Sequence, residues 1–196
     1  MALTRFFAAI IASVMLGSAP VLADEIQEIN QQFRKGDTAG ALDRANRYLA
    51  NNPKDAQARF LKGLILADQG KTNDAIDVLS RLTEDYPELP EPYNNLAVLY
   101  ASQGKYGDAR NALEMAIRAH PDYATAHENL GDLYAKMASI EYDKALTLDS
   151  KNTAVQSKLT LIQNMLGGPG RKPAVAKPVP AVAKPVPHSS QPAPAR

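Results

Sequence analysis

The chain has 196 residues, is 45% hydrophobic, carries a formal net charge of +1, and contains neither cysteine nor tryptophan. The missing cysteine excludes disulfides, thiol catalysis, attached haem and a lipid-modified N-terminal cysteine. The charge is segregated: residues 24–166 hold all 21 acids against 16 Lys/Arg, a balance of −5, while residues 167–196 hold five Lys/Arg and no acid. A body of that sign lacks the clustered cations that displace counterions from nucleic acid, so no nucleic-acid partner is expected.

The N-terminus has the pattern of a secretory signal. Arg5 precedes the apolar run Phe6 to Leu16, Gly17, Ser18 and Pro20 break it, and Val21-Leu22-Ala23 places small residues before a cut at Asp24. The alternative, a membrane anchor, needs about 20 apolar residues, more than the run supplies. Residues 1–23 are therefore expected to be cleaved after Ala23, and the mature protein to be periplasmic.

From Leu22 the chain is organised by a period of 34 residues. Ala41, Ala75 and Ala109 keep that interval, and so do Pro53, Pro87 and Pro121, each 12 residues beyond its alanine. Units fall at about 22–55, 56–89, 90–123 and a shortened 124–150. Such periodicity marks stacked supersecondary units that bury their apolar faces only against neighbours and present an extended concave surface. Within each unit, glycine at position 15 (Gly36, Gly70, Gly104) is placed to end a first helix, because glycine enters the left-handed cap conformation without penalty. A small residue at position 8 (Gly63, Ala97, Gly131) and the alanine at position 20 would let two antiparallel helices approach closely. The proline at position 32 stops the second helix. Thr38, Thr72 and Asp55 are candidate N-caps.

Phe60 to Gly70 and Tyr93 to Gly104 match the first helix of the tetratricopeptide repeat, and Lys71 to Pro87 and Lys105 to Pro121 match its second. Over about residues 24–150 the chain resembles that family. The resemblance implies an all-α fold, a short right-handed superhelix of antiparallel helix pairs, with a family role in binding peptides or protein surfaces. Unit one departs from the pattern, with Ile29 at the small position 8 and Gln32 where an aromatic is usual at position 11, as suits a terminal repeat with one side toward solvent.

Unit four departs differently. Tyr100 to Ala116 spans 16 residues, but Tyr134 to the matching Ala145 spans 11, and the turn glycine is gone. Leu130, Tyr134, Met137/Ala138, Tyr142, Ala145 and Leu148 continue at helical spacing, which predicts one long helix from about Asp122 to Leu148; a tight hairpin is the alternative. A capping helix is expected at 153–166, with Val155, Leu159, Ile162 and Leu166 on one face. Residues 167–196 hold eight of the 14 prolines and repeat Ala-Val-Ala-Lys-Pro-Val-Pro at 174–180 and 181–187. Such a segment builds no core and is expected to be a disordered, basic, largely polyproline-II tail.

No chemistry emerges. His120 and His127 straddle Pro121, so they do not form a metal pair, and position 4 of the unit gives His127 a packing role. No serine sits in a Gly-x-Ser-x-Gly setting and no phosphate loop opens a helix. Neither catalytic activity, cofactor nor metal is expected. What the resemblance implies is a groove lined by the first helix of each pair. Its candidate residues are Asn30, Phe33, Phe60, Leu64, Asn94, Val98, Glu128 and Asp132, grading from apolar to acidic. Asn94 and Asn95 are candidates to hydrogen-bond a peptide main chain. The carboxylate clamp of cochaperone relatives needs Lys or Arg at positions where this chain offers Asn30 and Asn94, so that ligand is not expected.

The function expected is a non-catalytic interaction scaffold of the periplasm, binding a peptide or protein with apolar anchors and a basic end. Alternatively the repeats space a structural tether whose tail, residues 167–196, contacts cell wall or an anionic membrane surface. Self-association through the groove or an uncapped end is a third reading.

Overall fold

The computed structural model describes residues 18–167, with side chains from Glu25 onward. Most of the signal segment and nearly all of the tail lie outside the described residues. Among the described residues there are eight helices and no strand: α1 (Ser18–Arg34), α2 (Thr38–Asn51), α3 (Ala56–Asp68), α4 (Thr72–Asp85), α5 (Pro90–Ser102), α6 (Tyr106–Ala119), α7 (Ala124–Leu148) and α8 (Thr153–Met165). They form two compact units that divide between Glu88 and Leu89.

The first unit is two helix pairs, α1 with α2 and α3 with α4, with α2 also against α3. Its core joins Ile26 and Ile29 of α1, Ala41, Ala45 and Tyr48 of α2, and Ala58, Leu61 and Ile65 of α3. The helices meet closely because the facing residues are small. Ala41 and Ala75 have no exposed surface. At Gly63 a Cβ would stand 2.7 Å from Leu79 Cδ2, so the leucine of α4 occupies the space a side chain would need. Ile29, the large residue at the equivalent position of α1, is also fully buried, so it is a core residue and not a concession to solvent at a terminal repeat. Charge closes the outer edges: Arg44 of α2 pairs with Glu25 at 2.7 Å and with Glu28 of α1, and Arg59 of α3 pairs with Asp85 of α4. Such part-exposed pairs contribute little individually, about 0–1 kcal/mol.

The turns within pairs are alike. Gly36, Gly70 and Gly104 adopt φ of 89°, 73° and 74°. The residue after each glycine donates its amide back to the position-11 carbonyl: Asp37 to Gln32, Lys71 to Leu66, Lys105 to Tyr100. These are the reversed bonds of a left-handed helix cap. The prolines act one step later. The residue before each, Asn52, Tyr86 or His120, takes φ of −131°, −137° or −145°, outside the helical region that a following proline disfavours, and the helix has ended.

Two of the expected caps are corrected. Asp37, not Thr38, caps α2, accepting from the Gly40 amide at 3.0 Å. Thr72 is already inside α4, whose cap position is held by Lys71 without a side-chain bond. The turn is so short that the residue closing one helix also opens the next, which leaves the threonine in the first helical turn. Asp55 does cap α3, accepting from the Ala58 amide at 2.8 Å.

In the second unit α5 pairs with α6, α6 packs on α7, and α7 on α8. Ala97, Ala109, Leu113 and Ala116 are buried between the helices. α7 is one helix of 25 residues with no hairpin. That changes what its register positions do. The period assigns Gly131 an opposing helix; instead the residue is exposed, with nothing within 4 Å of a Cβ built on it. The second helix that would have covered it is missing, because the five-residue shortening removes the turn. Tyr134, the counterpart of Tyr100, is 48% exposed for the same reason. α8 buries Leu159, half-buries Val155, Ile162 and Leu166, and leaves Leu161 and Met165 open.

The contrast between the two glycines is directly measurable in urea midpoints of the full chain. Gly63→Ala should destabilise by about 1–3 kcal/mol, since Leu79 must leave its rotamer or shift its helix. Gly131→Ala should stabilise by up to about 1 kcal/mol, the helix-propensity difference with no steric cost.

Candidate functional site

The eight residues proposed to line a binding face divide between the two units. On α1, Asn30 and Phe33 are half-buried, and on α3 Phe60 and Leu64 are buried. Phe60 is only 3% exposed, so it serves packing and offers almost no surface to a ligand. In the second unit Asn94 of α5 is 1% exposed and Val98 half-buried, while Glu128 and Asp132 of α7 are exposed one turn apart. The acidic end is thus open and the apolar members are largely withdrawn.

Asn94 is tied to a residue that the periodic pattern does not single out. Its Oδ1 accepts from Asn129 Nδ2 at 2.7 Å, bridging α5 to α7. A buried amide oxygen without a partner costs about 1–3 kcal/mol, so this bond fixes the two first helices of the second unit against one another. The separation of 35 residues, one period plus one, was the available signal. Asn95 is buried too, and donates to the Glu91 carbonyl of its own helix at 2.8 Å. Nearby, burial and then the Glu91 charge push the Tyr123 phenol up. His127, expected to pack, is exposed and bonds the Pro121 carbonyl through Nε2 at 3.1 Å.

The first unit has a cleft of about 610 Å³ that sequence reasoning did not find. Ile26 of α1 and Gln57 of α3 line it, both at first-helix positions, together with Tyr48 of α2 and Asn52, Pro53, Lys54 and Asp55 of the α2–α3 turn. Asp55 has two duties there. One oxygen caps α3, and the other accepts the Tyr48 hydroxyl at 3.0 Å. Burial, the hydrogen bond to Asp55, and the charges of Asp55 and Glu25 together push the Tyr48 phenol up to about 12. Among the described residues no group of three or more His, Asp or Glu could hold a metal ion.

These geometries are those of a known repeat. The family model for the tetratricopeptide repeat matches residues 27–90, and a second model of the same repeat matches residues 99–137. The chain belongs to the tetratricopeptide repeat family. No curated protein matches it. Among solved structures, a thermophilic TPR protein of Thermus thermophilus is 22% identical, with a TM-score of 0.55 over 74% of this chain and 83% of that one. YrrB, described as a TPR protein with an unusual peptide-binding site, is 25% identical, with a TM-score of 0.52 over 55% of this chain and 56% of that one. The first TPR domain of Spaghetti (RPAP3), bound to the HSP90 peptide SRMEEVD, is 14% identical, with a TM-score of 0.55 over 60% of this chain and 93% of that one. Tetratricopeptide proteins are in general non-catalytic scaffolds for protein–protein interaction, and this chain has that scaffold.

Tyr48 gives the scaffold a measurable pH dependence. Its folded pKa of about 12 lies above the ordinary 10.0. Below pH 10 both states keep the phenol proton and its contribution is intact; between 10 and about 12 only the unfolded state has lost it, so stability falls as pH rises through that window. Urea midpoints measured from pH 9 upward should fall less steeply for Tyr48→Phe than for the parent.

Proposed function

We propose that the protein is a non-catalytic adaptor of the cell envelope that binds a basic peptide segment on the first-helix face of its second unit. The observation that carries this reading is the exposed pair Glu128 and Asp132 on α7, one turn apart and beside the locked Asn94–Asn129 bridge. A rigid helix presenting two carboxylates selects a cation-bearing partner and steers its approach. YrrB and the RPAP3 domain, both peptide binders by description, support the same role for this repeat. Glu128 and Asp132 have the opposite sign from what an acidic ligand needs, so a peptide like the one on RPAP3 is not the ligand here.

Export is part of the proposal. It rests on the signal-like residues 1–23. Intact-mass measurement of the protein from a periplasmic fraction should give a chain beginning at Asp24; a full-length mass would remove export from the reading.

Affinity capture from periplasmic extract tests the acidic face. Glu128→Lys/Asp132→Lys should lose the specifically bound protein, because both positions are exposed and the change reverses the field without touching the core. Capture that is indifferent to the reversal sinks the reading. A variant lacking residues 167–196 should retain the partner; loss of envelope association in that variant alone would instead favour the tether.

A further inference from the structure

Two polar atoms of the second unit are turned away from water with nothing to bond. Glu91 Oε2 and Tyr123 Oη are both fully buried, and neither has a hydrogen-bond partner. They belong to neighbouring helix starts: Glu91 is the second residue of α5, and Tyr123 stands immediately before α7. α5 and α7 touch, and the Asn94–Asn129 bridge joins them again about one turn further on. The two helices therefore run in the same direction with their N-terminal ends side by side, and the carboxylate and the phenol share that end of the seam. The phenol feels the carboxylate: after burial, the Glu91 charge is the next cause that pushes Tyr123 up.

Buried polar groups are bonded in the great majority of cases, and a carboxylate oxygen without a donor has lost its hydration uncompensated. The first unit solves the same problem internally. Asp55, two periods before Tyr123, gives one oxygen to the Ala58 amide and the other to the Tyr48 hydroxyl. At the α5–α7 seam no described side chain supplies the donor. Both Glu91 and Tyr123 keep part of their surface in solvent, so the site borders the outside of the molecule.

The chemistry that this pair selects is narrow. It offers two oxygen acceptors and one negative charge. A calcium or magnesium ion takes six or more oxygen ligands, several of them charged in a protein site, and here there is one carboxylate. A guanidinium is a broad planar fork that favours both oxygens of a carboxylate, and only one Glu91 oxygen faces the seam. A primary ammonium is compact and carries three donors on a thin flexible stem. The acceptors are already stripped of water by folding, so an ammonium that reaches them gives up its own hydration but not theirs, and its bonds form in a low-dielectric setting.

We propose that Glu91 and Tyr123 form a receptor for a lysine side chain, or another primary amine, of the second unit's ligand. The ammonium donates to Glu91 Oε2 and to Tyr123 Oη. The next cation of the ligand meets Glu128, five residues beyond Tyr123 and about 7.5 Å further along α7. This subsite rests on the reading that the first-helix face of the second unit takes a basic peptide, and it makes that reading specific. Glu128 and Asp132, on the open surface, attract lysine and arginine alike; the seam separates them.

Fluorescence anisotropy of the full chain tests this with two labelled, N-acetylated hexapeptides, identical except that one carries two lysines and the other two arginines. The lysine peptide should bind more tightly, by about tenfold, the worth of a charge-assisted hydrogen bond. Glu91→Gln should cost the lysine peptide about tenfold and Tyr123→Phe about threefold, with the arginine peptide changed by no more than about twofold in either variant. Without peptide, Glu91→Gln should not lower the thermal midpoint, because it removes an unpaired charge and no bond. A lowered midpoint means that the carboxylate holds the fold, and overturns the proposal. Equal affinity for the two peptides, or a lysine preference that survives both substitutions, also overturns it; the wider acidic face still stands if both peptides are lost in Glu128→Lys/Asp132→Lys. A lysine preference that depends on Glu91 but ignores that reversal keeps the subsite and removes the wider face. Binding of neither peptide removes both.

Discussion

Close approach of two antiparallel helices is the condition on which each unit of this molecule depends. It is met by omission of side chain: Ala41, Ala75 and Ala109 are fully buried at 34-residue intervals, and Gly63 lies under Leu79. Helix axes packed this tightly leave no room for a larger residue at the crossing. The rest of the repeat serves that contact. Glycine and proline end the helices at matching lengths, so that the small positions of partners fall opposite one another. The branched residues to either side then fill the space that remains. A single pair has too little core to stand alone, so its second face must go to the next pair.

The period made the helix pairs legible, because glycine and proline act on local backbone and need no neighbour to do so. Positions whose role depends on a neighbour were less legible. Gly131 occupies the same register as Gly63, yet one is bare and the other covered. Ile29 breaks the small-residue rule and is nonetheless fully buried, because α1 and α2 leave room for it. Thr38 and Thr72 have the chemistry of caps but stand one residue too late, a matter of turn length that residue preference does not report. Phe60 and Leu64 occupy first-helix positions that a groove would use and are instead consumed in packing.

The polar features show the same division. The capping role of Asp55 follows from its place before a helix, but its bond to Tyr48 requires knowing that the end of α2 returns to the start of α3. The Asn94–Asn129 bridge joins residues 35 apart, one more than the period, because the neighbouring first helices meet along facing edges rather than at identical positions. Glu128 and Asp132 stay open where most first-helix positions are withdrawn. Their accessibility follows from the shortened fourth unit, which leaves this half of α7 without a second helix.

That shortening also bears on energetics. In a repeat protein, stability is approximately the sum of each unit's own contribution and its contact with the next. Losing the turn of unit four, so that its second helix runs on from the first as α7 and does not fold back, removes both contributions at that end. α8 restores part of the loss by covering the C-terminal half of α7, but thirteen residues of helix are about 20 Å long and α7 is nearly twice that. The uncovered half keeps the residues of a repeat core, Gly131 and Tyr134 among them, in a surface setting. The apolar free energy that folding would have gained there remains available to whatever binds, less the cost of ordering the ligand. For a free peptide that cost includes lost translation and rotation.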